Sequence, residues 1–250
     1  MWRRLRRILG RIPRSPRCKT CQAPFEGPLK PILPLFGKQP FEKNPRYCRG
    51  CYHMLTKSKG GAEIALSMLF ADVRGSTPMS ERLGATKFAE VMDRFYATGV
   101  EVLIRHDALI ERFMGDQVVG YFVPGFAGPA HARAAVDAGL DLLGATGHAP
   151  GQEAWVPVGV GVHTGVAFVG TVGTEVLELT ALGEAVTLAA RLASVAADGE
   201  LLVSEAAYAA AELRAPAESR QLELKGMTAP VSVRVLDSAF DALLGRSVAT

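Results

Sequence analysis

Leu69-Phe70-Ala71-Asp72-Val73-Arg74-Gly75-Ser76-Thr77 opens the reading of this 250-residue chain, and Arg112-Phe113-Met114-Gly115-Asp116-Gln117-Val118-Val119-Gly120-Tyr121-Phe122 completes it. In the first stretch an apolar strand ends in Asp and is followed by Gly and two hydroxyl residues. The carboxylate leaves the sheet edge, and the backbone N–H groups after it turn inward as an anion-binding nest. In the second, Asp116 follows Gly115 between two apolar runs, as at the tip of a hairpin. Taken singly, each is an ordinary turn aspartate. If the two strands are neighbours, both carboxylates share one pair of hard cations beside a phosphate nest, the arrangement of metal-assisted phosphoryl or nucleotidyl transfer.

Outward from this pair, the length fits one sizeable domain and a small appendage. No run approaches the roughly 20 apolar residues that span a bilayer. The formal charge of +3 is unevenly spread: residues 1–17 hold seven arginines and no acid, leaving 21 basic and 25 acidic side chains elsewhere. In this leader Trp2, Leu5, Ile8, Leu9 and Ile12 recur at helical spacing among the arginines. That pattern suits the surface of an anionic membrane, and equally a solvated tail that Pro13 and Pro16 keep short. It lacks the continuous apolar core of a secretory signal, so the expected location is cytoplasmic with peripheral membrane contact through the leader.

All four cysteines lie in residues 18–56, as Cys18-x-x-Cys21 and Cys48-x-x-Cys51 around a Pro- and Gly-rich loop. Two such pairs suit a structural, tetrahedral Zn²⁺ with no open position. Two disulfides are the alternative, though nothing points to an oxidising compartment; His53 offers a substitute ligand. Lys57 to Gly61 reads as a linker.

Over 63–240 the expected order is strand (63–71), long helix (83–105), hairpin (109–122) and helix (127–143). Strands 156–162 and 166–172 follow with His163-Thr164-Gly165 at their turn, then a helix (184–196) and closing strands. This β-α-β-β-α-β order predicts an α+β sandwich of ferredoxin-like type, with helices on one face of a mostly antiparallel sheet.

Here the chain resembles the class III nucleotidyl cyclases across residues 63–240. The resemblance rests, in order, on Phe70 to Thr77, Gly115-Asp116, Gly159 to Gly165, Thr180-Ala181-Leu182-Gly183 through Ala189-Ala190-Arg191-Leu192, and Leu224-Lys225-Gly226. It implies a metal site at Asp72, Val73 and Asp116 for two Mn²⁺ or Mg²⁺ ions. It also implies phosphate binding by Arg74, Gly75, Ser76, Thr77 and Lys225, and catalysis by Arg191 with Thr187 beside the ribose. Arg112 and Thr180 stand at the positions that read the base. Metal carboxylates from one subunit and base-reading groups from the other imply a head-to-tail homodimer.

Two departures bear on the reaction. Adenylyl types usually have Lys at the position of Arg112, and guanylyl types Glu. The longer Arg fork suits the O2, N3 or O4 acceptors of a smaller pyrimidine, and the Thr180 hydroxyl donates or accepts. Arg112-x-x-x-Asp116 is similar to the motif of bacterial Pycsar-type pyrimidine cyclases, whose cyclic UMP or CMP activates a companion antiphage effector. UTP is therefore the expected substrate, an adenylate cyclase the alternative. Thr187 replaces the family's ribose-orienting Asn, a loss worth a factor on the order of 10², or the mark of a nucleotide-binding pseudo-cyclase.

Overall fold

The computed structural model describes residues 16–18, 21, 23–41, 44–56, 60–111, 115–172 and 178–237. Most of the leader, Lys19 and Arg112 lie outside the described residues. The chain divides into two compact units, residues 1–62 with 169–180, and residues 63–168 with 181–250.

In the first unit, a 3₁₀ turn at Leu33–Phe36 precedes a two-stranded ribbon, β1 (Pro40–Phe41) and β2 (Asn44–Cys48), and a helix α1 (Arg49–Thr56). A cluster of Cys18, Cys21, Cys48, Cys51, Ala23 and Phe25 forms its core.

The second unit is built on an eight-stranded sheet, three of whose strands have end residues assigned to the first unit. Its elements are β3 (Gly60–Val73), α2 (Ser76–Leu83), α3 (Ala85–Arg105), β4 (Leu109–Ile110), β5 (Gln117–Phe122), α4 (Pro124–Ala127) and α5 (His131–Leu143). After them come β6 (Val158–Val172), β7 (Glu178–Leu182), α6 (Glu184–Val195), β8 (Leu201–Ser204), α7 (Glu205–Ala210), β9 (Glu218–Leu222) and β10 (Val231–Leu236). Strand order is β4-β5-β3-β6-β8-β10-β9, with β7 paired to β6. β6 and β8 run parallel, while β3/β5, β4/β5, β8/β10 and β9/β10 are antiparallel. This is the expected α+β sandwich.

Several elements differ from the sequence reading. The long helix is two, α2 and α3, separated at Gly84. The expected turn at His163-Thr164-Gly165 is the middle of one 15-residue strand. Its glycines serve close packing rather than reversal. A Cβ on Gly161 would lie 2.3 Å from the Ala193 nitrogen, and one on Gly159 would lie 2.6 Å from the Ala196 oxygen. Only a bare backbone lets α6 approach this closely.

The same alternation places helices on both faces, not one. Val158, Val160 and Val162 join the main core with residues of α2, α3, α5 and α7. Leu192 and Ala196 pack on the opposite face with Leu202, Leu224 and Val233. Period-two alternation along β6 and β8 thus sorts the helices between the two sides.

Candidate active site

Register brings the two acidic turns together. β3 and β5 pair with Asp72 opposite Gln117, and Val73 N donates to the Asp116 carbonyl at 3.1 Å. Asp116 therefore sits one step beyond Asp72 on the adjacent strand end. Both carboxylates are only half-exposed. Val73 is buried, so its carbonyl alone is left to serve a cation.

Each carboxylate is already held by neighbours. Gln117 Nε2 donates to Asp72 Oδ2 at 2.5 Å, Arg74 Nη2 donates to Asp72 Oδ1, and Ser76 Oγ donates to Asp116 Oδ2. Tyr96 of α3 donates its hydroxyl to the Gly115 carbonyl and braces the second turn. Burial first, then the charges of Asp116 and Asp93, push the Tyr96 phenol upward, so it remains a donor. Gln117 and Tyr96 were missed in the sequence. Gln117 sits beside Asp116 and was legible as its neighbour, whereas Tyr96 reaches the site only through the packing of α3.

The turn after Asp72 has the backbone form of an anion nest. Gly75 adopts φ 63° and ψ 34° ahead of α2, whose first residues have no side-chain cap. A left-handed residue followed by helical ones aims successive N–H groups at one point. Pro78 has no N–H and the Arg74 N–H is spent on the Pro157 carbonyl, so Gly75, Ser76 and Thr77 are the candidate donors, and Arg74 has only its guanidinium to offer. Arg74 crosses from this turn to α6: Nη1 donates to the Ser194 carbonyl at 2.8 Å, and its backbone N to the Pro157 carbonyl at 2.9 Å.

Of the other expected residues, Thr187, Arg191 and Lys225 make no hydrogen bond to the two carboxylates among the described residues. Thr187 and Arg191 lie four residues apart on the exposed side of α6, whose other side buries Ala185, Ala189 and Leu192. Lys225 is exposed in the turn between β9 and β10. Thr180, half-buried on β7, belongs to the first unit.

Residues 62–234 match the Adenylate and Guanylate cyclase catalytic domain family. The chain belongs to the class III nucleotidyl cyclases. The adenylyl cyclase CyaB from P. aeruginosa is similar in structure, with TM-score 0.64, 28% identity, and coverage of 71% of this chain and 96% of that one. The guanylyl cyclase Cya2 gives TM-score 0.63 at 26% identity, covering 70% and 93%. Among curated relatives, an uncharacterised protein of Mycobacterium tuberculosis is 32% identical over 185 residues, 69% of this chain and 32% of that protein. An adenylate cyclase of Anabaena cylindrica is 28% identical over 132 residues, 51% and 26%. The chain thus spans about a third or less of the length of these relatives. Catalytic domains of the family bind a nucleoside triphosphate, use two divalent cations and work as dimers.

A second candidate site lies in the first unit. The four cysteine sulfurs fall within 4.8 Å of one another, all buried and none in a disulfide. Cys21 and Cys48 Sγ are 3.7 Å apart. That is far from the roughly 2.05 Å of a disulfide, and matches the edge of a tetrahedron with metal–sulfur bonds of about 2.3 Å. Backbone N–H groups of Cys48 and Cys51 donate to the sulfurs of Cys18 and Cys48, at 3.2 and 3.4 Å. Hydrogen bonds from Cys21, Cys48 and Cys51 hold the Cys18 thiol well below its usual range, while Cys18 drives Cys51 far above it. Four buried sulfurs at this spacing could hold a metal ion, and with all four deprotonated this donor set fits Zn²⁺.

Proposed function

We propose that this chain cyclises a nucleoside triphosphate to a 3′,5′-cyclic nucleotide and pyrophosphate, with residues 63–240 as catalytic domain and 18–56 as a zinc-stapled module. The convergence of Asp72 and Asp116 beside the Gly75 cradle carries this reading. Both carboxylates, with the Val73 carbonyl, would hold a pair of Mg²⁺ or Mn²⁺ ions. When bound, such ions supply Lewis-acid activation of the ribose 3′-hydroxyl and neutralise triphosphate charge. The N–H groups of Gly75, Ser76 and Thr77, beside the Arg74 guanidinium, bind the terminal phosphates. Arg191 stabilises charge developing at the α-phosphate, Lys225 receives the departing pyrophosphate, and Thr187 positions the ribose through its hydroxyl.

The substrate we assign is UTP. Arg112 and Thr180 are the base readers, and an Arg fork with a hydroxyl matches the edge of a pyrimidine. A product cyclic UMP would act as a second messenger on a companion effector, as in antiphage signalling, with the basic leader resting on a membrane surface. The second reading is ATP, favoured by similarity to proteins named adenylyl or adenylate cyclase.

The test is incubation of purified protein with Mn²⁺ and the four ribonucleoside triphosphates, read by mass spectrometry beside Asp72→Ala. Cyclic UMP from the wild type alone is expected. Cyclic AMP would overturn the base assignment and leave the cyclase. Absence of any Asp72-dependent product would overturn the enzyme reading in favour of a nucleotide-binding pseudo-cyclase.

A further inference from the structure

The first unit displays an apolar tip that nucleotide chemistry does not use. Around the 3₁₀ turn Leu33–Phe36, Leu33 packs inward while Ile32, Leu35 and Phe36 are 50%, 82% and 69% exposed. The tip is held in place. Pro34 stands in the first turn, the N–H of Gly37 closes it on the Pro34 carbonyl at 2.9 Å, and Gly50 N of α1 donates to the Gly37 carbonyl at 2.7 Å. That last bond ties the tip to the helix start between Cys48 and Cys51. Such a fixed display of large apolar side chains marks a contact surface.

Its surroundings decide what it contacts. Lys30 and Lys38 flank the tip and, with Leu33, Pro34 and Pro16, line a cavity of about 240 Å³ whose one acidic residue is Glu26. Pro16 is anchored here, its carbonyl accepting from Phe25 N at 2.9 Å. The residues before Pro16, with six arginines and no acid, therefore join the described chain at the edge that carries Lys30 and Lys38. Like charge makes the leader a poor cover for the tip. An anionic surface complements both. Three protruding side chains with a basic surround are too little for a stable protein interface, which needs about 800 Å² per partner, but suit the boundary between headgroups and acyl chains.

We infer that Ile32, Leu35 and Phe36 insert into an anionic bilayer, with Lys30, Lys38 and the arginines of residues 1–17 on its headgroups. The knuckle then acts as a second anchor beside the leader, independently of the cyclase reaction. A single weak anchor gives only marginal attachment, and two give a stable one.

Full-length, zinc-loaded protein would be sedimented at physiological salt with phosphatidylcholine vesicles, with and without phosphatidylserine. Wild type is expected to bind only the anionic vesicles. Leu35→Ser/Phe36→Ser, checked for unchanged zinc content, is expected to bind roughly tenfold or more weakly with the leader intact. The emission that Phe36→Trp adds to a Trp2→Phe background, over that of the remaining Trp155, is expected to shift to the blue on those vesicles. Full binding by the double serine variant, with unshifted emission, would overturn the inference and leave the contact to the leader alone. Failure of the wild type to bind anionic vesicles would overturn it in favour of a protein partner.

Discussion

At the scale of single residues, Arg74 holds the most consequential position. Its guanidinium bonds both the carboxylate and the carbonyl of Asp72 and reaches across to the Ser194 carbonyl near the end of α6. It thereby satisfies a charge that a divalent cation would otherwise take. Charge-assisted bonds of this kind are the strong ones, so cation and guanidinium compete for Asp72. Burial lowers the Arg74 pKa, yet an arginine starts so high that it stays charged. Removing it in Arg74→Ala should therefore tighten Mn²⁺ binding about three- to tenfold in the absence of nucleotide, measured by the loss of free-Mn²⁺ signal in electron paramagnetic resonance. Unchanged or weaker affinity would mean that Arg74 leaves Asp72 without cost. Asp72, Asp116 and Gly75 to Thr77 were legible because their chemistry is contiguous in the chain. Tyr96 was not, because nothing near it in sequence signals its bond to Gly115.

At the scale of elements, β6 is the instructive case. His163-Thr164-Gly165 reads as a turn when Gly is taken as a breaker, yet Gly159, Gly161 and Gly165 each face a neighbour too close for a Cβ. For Gly165 the neighbours are the His163 ring and Ala185 Cβ. Glycine's two uses, reversal and close approach, look alike in a sequence and differ only once a helix is laid across the strand. The strand's polar groups follow the same layering. Thr164 Oγ1 lies 2.6 Å from Ser67 Oγ of β3, and His163 Nδ1 lies 2.7 Å from Ser204 Oγ, which caps α7 by accepting from Ala207 N. Burial lowers His163 to about 4. The native state thus keeps the imidazole neutral while the unfolded chain takes up a proton near pH 6.5. This contribution is fully present above that value and is lost as pH falls towards 4. The difference is on the order of 2–3 kcal/mol. Urea midpoints of the wild type and His163→Gln should therefore converge between pH 7 and 4, because the glutamine variant lacks this proton uptake. Parallel pH profiles would show that the ring is protonated in the folded protein.

At the scale of the whole molecule, the candidate residues are presented in different ways within one chain. The carboxylates of Asp72 and Asp116 and the Gly75 turn meet at the ends of β3 and β5, whereas Thr187 and Arg191 face outward from α6 and Lys225 faces outward from its turn. Leu182 at the end of β7 and Val195 at the end of α6 are 50% and 47% exposed, and Val166 on β6 is 60% exposed. Apolar residues beside outward-facing polar ones are what an interface between copies needs. The expected head-to-tail dimer comes from the family resemblance alone, since periodicity and spacing carry no information on a partner. Complementation tests it directly. Asp72→Asn and Arg191→Ala are each expected to be inactive alone. Mixed and allowed to exchange subunits, half of the dimers are mixed, and each mixed dimer holds one intact site, made of Asp72 from one copy and Arg191 from the other. The mixture should regain about a quarter of wild-type activity, in proportion to the mixed dimers counted by native mass spectrometry. A mixture that stays inactive while mixed dimers form would place both residues in a site built within one chain.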